Sequence, residues 1–143
     1  MREVVLMKRF LLLAFASGFS WALIAYILSF GAFGNSIVGG LAVSPWIGLL
    51  VAVLYRPIYK FPRWVQALLS VCSLYVAVTL FGVAVGVYDA MRPIPNRESA
   101  EVIGQMVIVA VLGVTITGLV LILWPLAFLN HQLLKRTLAI KSK

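Results

Sequence analysis

Four carboxylates, one histidine and one cysteine are the residues of this 143-residue chain that would attract attention as catalytic or metal-binding groups. Three of the acids, Asp89, Glu98 and Glu101, share one polar stretch with Arg92 and Arg97. Flexible acids beside arginines suit acid–base work or a divalent cation, but helix capping and local pairing with Arg92 and Arg97 account for them more simply. His131, the sole histidine, follows an apolar run between Asn130 and Gln132, and reads as a solvated or headgroup-level side chain. Alone it makes neither a metal site nor a catalytic pair. Cys72 lies within an apolar stretch and reads as a small buried side chain, with no second cysteine for an intramolecular disulfide. No Gly-rich phosphate loop, nucleophile elbow, zinc-type spacing or heme-attachment motif is present. The expectation is a non-catalytic protein without cofactor or metal, because catalysis needs titratable groups converging in a pocket.

The elements that would position these residues are dictated by composition. Hydrophobic residues make up 63% of the chain and charged ones 11%, with a mean hydropathy of +1.07, far from the roughly 45–50% and 25% of soluble domains. Four runs, 10–33, 37–55, 65–87 and 102–129, contain no Asp, Glu, Lys, Arg or His. Each is long enough as a helix for a hydrocarbon core of about 30 Å. Ionisable groups inside a membrane mark proton relays, ion sites and coupled transporters. These runs offer hydroxyls instead, among them Ser17, Ser29, Ser44, Ser70, Ser73, Thr115 and Thr117, suited to bonding carbonyls of their own helices.

The expected fold is therefore an all-α membrane protein, an antiparallel bundle of four transmembrane helices forming one domain over 1–143, with no room for a separate globular domain. A signal peptide is the rival reading of the first run, with Ala14-Phe15-Ala16 as a cleavage-like site, but apolar sequence continues past it through Trp21 and Leu28. Gly31, Gly34, Asn35 and Ser36 make a tight turn, Pro45 predicts a kink in the second span, and the prolines of 56–64 stop a helix between aromatics and three positive charges. In the loop 88–101, Asn96 or Ser99 is available to cap the last span, and 130–143 forms a basic tail. Gln66 is expected near the headgroups.

Charge orients the spans. Ten of the twelve basic residues lie in the N-terminal segment, the second connection and the tail. The positive-inside rule then puts both termini in the cytoplasm of a cell-membrane protein and the loop 88–101 outside. The net charge of +8 sits in short clusters at span ends rather than along a helix face, which suits anionic lipid headgroups and not nucleic acid. Arg56, Lys60, Arg63, Lys135 and Arg136 are the expected headgroup contacts.

In lipid, helices associate through close backbone approach and hydrogen bonds. Small residues spaced four apart therefore mark the packing faces, with Gly18, Gly48, Gly82, Gly86 and Gly113 as their centres. Trp64 and Trp124 read as interfacial anchors, and Trp21 with Trp46 as buried packing or one wall of a lipid cleft. Such a chain is expected to act as a subunit or scaffold of a membrane complex, with a partner membrane protein or a second copy. The alternatives are an oligomeric channel or passive carrier lined by hydroxyls and, more weakly, a lipid-handling protein.

Overall fold

The computed structural model describes residues 2–29, 31–92 and 98–138. It contains five α-helices and, among the described residues, no strand: α1 (Arg2–Leu28), α2 (Ile37–Tyr55), α3 (Arg63–Ala90), α4 (Ser99–Ile116) and α5 (Val120–Thr137). Helices α1 to α4 each lie in a segment long and apolar enough to cross a membrane, which marks a multi-pass membrane protein. The connections follow from turn chemistry. Gly31 and Gly34 take positive φ after α1, and α2 gives way to a 3-10 turn over Arg56–Lys60 that ends in extended backbone at Phe61 and Pro62. Inside α2, Pro45 cannot donate, yet the helix is unbroken across it and Ser44 Oγ donates to the Gly40 carbonyl at 2.6 Å.

The fourth span departs from the sequence reading of one helix over 102–129. It stops at Ile116 and restarts at Val120, because Gly118 has φ of +71°, the left-handed conformation that ends helices and that residues with a Cβ adopt at a cost. The two pieces divide α3 between them. Ile103, Val107 and Ala110 of α4 approach Gly86 and Gly82, and Tyr75 Oη bonds Thr115 Oγ1 at 3.0 Å. Below Tyr75, α5 takes over: Leu123 packs with Leu74, and Trp124 Nε1 donates to the Ala67 carbonyl at 2.6 Å.

Glycine decides how near the other helices come. A Cβ on Gly48 would sit 2.7 Å from Gly18 Cα, and one on Gly18 would sit 2.3 Å from the Ser44 carbonyl oxygen, so α1 and α2 meet backbone to backbone. The same holds for Gly86 against Ile103 Cα at 2.6 Å. Gly39 and Gly40, not singled out from the sequence, let α2 accept Tyr88 and Phe81 of α3. Gly113 is unlike these. A Cβ there would meet nothing within 4 Å, so it is no packing centre.

Candidate functional site

At the end of the molecule where α2 passes into α3, polar side chains that looked peripheral in sequence are buried together. Gln66, expected at headgroup level, is 0% exposed. Its amide donates to the Tyr59 and Phe61 carbonyls at 3.1 and 2.6 Å, its backbone carbonyl accepts from Tyr55 Oη, and its Oε1 accepts from Gln132 Nε2 at 2.8 Å. One residue thus ties the 3-10 turn, α2 and α5 to the start of α3.

His131 is the largest correction. The sequence suggests a solvated ring, but the imidazole is 3% exposed and stacks on Tyr55 with centroids 3.7 Å apart and planes 11° from parallel. Its Nε2 lies 2.8 Å from Ser73 Oγ, and Nδ1 lies 3.4 Å from Tyr59 Oη. Ser73 also donates its one proton to the Ser70 carbonyl at 2.8 Å, so Nε2 is the donor to Ser73 and Nδ1 is left to accept from Tyr59. His131 lies on α5, which starts after the break at Gly118 and packs against α3 and α1.

Above this cluster lies a cavity of about 390 Å³ to which all five helices contribute. Trp21, Ile24 and Leu28 line it from α1, Ala77 and Phe81 from α3, and Leu123 from α5. Among the described residues no Asp, Glu, Lys or Arg lines it. Polar lining residues are few and most of their hydroxyls bond carbonyls of their own helices: Ser17 to Ala14, Ser29 to Tyr26, Ser44 to Gly40 and Thr117 to Gly113. His131, Ser73 and Asn130 border the cavity as a second polar group, and Asn130 has no side-chain hydrogen bond among the described residues.

The helix contacts leave one side of the cavity uncovered. Neighbours α1 and α2, α2 and α3, and α3 and α4 pack extensively, and α5 touches both α3 and α1, but α1 and α4 have no comparable contact. On that side Val109 and Gly113 line the cavity while remaining exposed. The two tryptophans read together as buried packing or one wall of a cleft part company. Trp21 lines the cavity, whereas Trp46 is 61% exposed and packs edge-on against Phe15 with centroids 5.2 Å apart.

The remaining site residues fall as follows. Arg56, Lys60, Arg63 and Arg136 are exposed at the end carrying the α2–α3 connection. Lys135 instead is 7% exposed. Burial, and then the Arg63 guanidinium, hold its ammonium below the usual lysine range. Cys72 is exposed on the outside of α3 rather than buried. Asp89 accepts from Ser36 Oγ at 2.6 Å, tying α3 to the start of α2, while Arg92 lies over the Tyr88 ring instead of pairing with Asp89. Glu98 occupies the N-cap position of α4, so Ser99 is its first helical residue and not its cap. Asn96, Arg97, Lys141 and Lys143 lie outside the described residues. Trp64 is exposed, and Trp124 is the one tied down by a hydrogen bond. Among the described residues no group of three His, Cys, Asp or Glu side chains could hold a metal ion. No protein-family model, no curated protein and no solved structure matches the chain.

Proposed function

We propose that this chain is a non-catalytic multi-pass protein of the cell membrane that holds a lipid-like apolar molecule in the cavity bordered by its five helices. The observation that carries the reading is the cavity itself: about 390 Å³, within the range of small-molecule sites, uncharged, and uncovered where α1 and α4 fail to meet. A void of that size leaves its lining atoms without dispersion partners, and an apolar chain entering sideways from the bilayer supplies them. A scaffold has no need of such a space. A channel needs a wetted path, and the lining hydroxyls that would provide one are turned to their own backbones.

A brominated long-chain hydrocarbon is expected to quench Trp21 fluorescence saturably in micelles, as the difference between wild type and Trp21→Phe. Gly113→Phe, which fills the cavity at a position free of neighbours, should abolish that quenching while leaving the protein folded. Unchanged quenching in this variant would sink the reading.

Both termini and the Arg56–Lys60 turn are assigned to the cytoplasm in this proposal, on the strength of the positive-inside rule. The exposed Arg56, Lys60, Arg63 and Arg136 then meet anionic headgroups there, where each basic side chain contributes about 1 kcal/mol. With Cys72→Ser as background, a membrane-impermeant thiol reagent applied from outside should label Glu98→Cys and miss Lys60→Cys. The reverse pattern would invert the topology.

A further inference from the structure

The cavity is not uniform along its length, and resting on the apolar-molecule reading we infer that it selects an amphiphile with an uncharged oxygen head, a hydroxyl or a carbonyl, seated beside Asn130 with its chain running toward Phe33. At one end the lining is Leu28, Ala32 and Phe33. At the other stand Ser73, Asn130 and His131. Ser73 and His131 are already engaged with each other, with the Ser70 carbonyl and with Tyr59. At that end Asn130 stands apart, its side chain without a hydrogen bond among the described residues; the Trp21 indole also has none, but it lies farther along α1. Its amide offers two donors and one acceptor, so a hydroxyl finds both roles and a carbonyl finds a donor.

A charged head is excluded by the same inventory. The carboxylate of a fatty acid or an ammonium group would lose its hydration where, among the described residues, no lysine, arginine or carboxylate lines the cavity to compensate. A pure hydrocarbon would fill the apolar end yet offer the half-buried Asn130 amide no hydrogen bond, which disfavours it against the neutral amphiphile.

Four probes sharing one brominated chain separate these cases: a primary alcohol, a methyl ketone, a carboxylic acid at pH 8 and the parent hydrocarbon, each read by saturable quenching of Trp21. The alcohol and the ketone should bind about fivefold or more tightly than the hydrocarbon, as expected for one net hydrogen bond, and the carboxylate no more tightly than the hydrocarbon. Asn130→Leu and Asn130→Ala should each bring the neutral heads to the hydrocarbon value without changing the hydrocarbon itself. A gain confined to the alcohol or to the ketone identifies which oxygen is read. Equal affinities for all neutral probes in the wild type, or a carboxylate that binds most tightly, overturns the inference and leaves cavity binding intact. Saturable quenching by none of the four overturns the underlying reading as well.

Discussion

The last two helices, α4 and α5, are held to α3 by different physics. Along α4, adhesion comes from absent side chains: Gly82 and Gly86 admit the backbone of Val107 and Ile103 to distances no Cβ would allow. Along α5 it comes from polar side chains, with Trp124 bonded to the Ala67 carbonyl, Gln132 to Gln66, and His131 to Ser73. Lipid tails are as apolar as leucine, so neither helix gains from burying leucine against leucine, and each uses one of the two remaining means of association. The glycine seam needs close, straight contact. The polar seam relies on side chains that reach across, and His131 is held in it by Ser73 and by stacking on Tyr55.

The contrast can be broken from the glycine side with the largest effect. Gly86→Leu drives a side chain into the backbone of Ile103 and should cost about 3 kcal/mol, read as the free energy of denaturant unfolding in micelles. In the same assay Gly113→Ala, with nothing within reach of its new methyl, should leave stability unchanged or raise it by up to about 1 kcal/mol, since alanine loses less entropy in a helix. Similar losses for both would mean that close approach is not what binds these helices.

The polar seam should respond less. A double-mutant cycle of Gln66→Leu and Gln132→Leu is expected to give a coupling of about 0.6 kcal/mol, the average for side-chain hydrogen bonds between membrane helices. A coupling of zero would reduce the Gln66–Gln132 contact at 2.8 Å to proximity.

The spans were legible because a charge-free run of about 20 residues has few other outcomes in a cell. Gly18, Gly48, Gly82 and Gly86 were legible for a related reason: spacing four repeats one face of any helix. The same spacing selected Gly113 wrongly, since periodicity identifies a face but not what lies opposite it. The burial of His131, Gln66 and Lys135 went unread for a common cause. Polar residues next to an apolar run look interfacial when each helix is taken alone, and they become buried where α5 packs against α3 and α1.

Sequence by itself determined that the chain is helical, that four of its segments are apolar enough to cross a membrane, and where its positive charge is gathered, since these depend on local composition and backbone hydrogen bonding. Tertiary structure alone decided that the last apolar run is broken at Gly118, that α1 and α4 stand apart, and that an uncharged cavity opens between them with His131 and Asn130 at one end. A cavity is the space that helices fail to fill. It depends on how distant segments meet, which no single stretch of residues encodes.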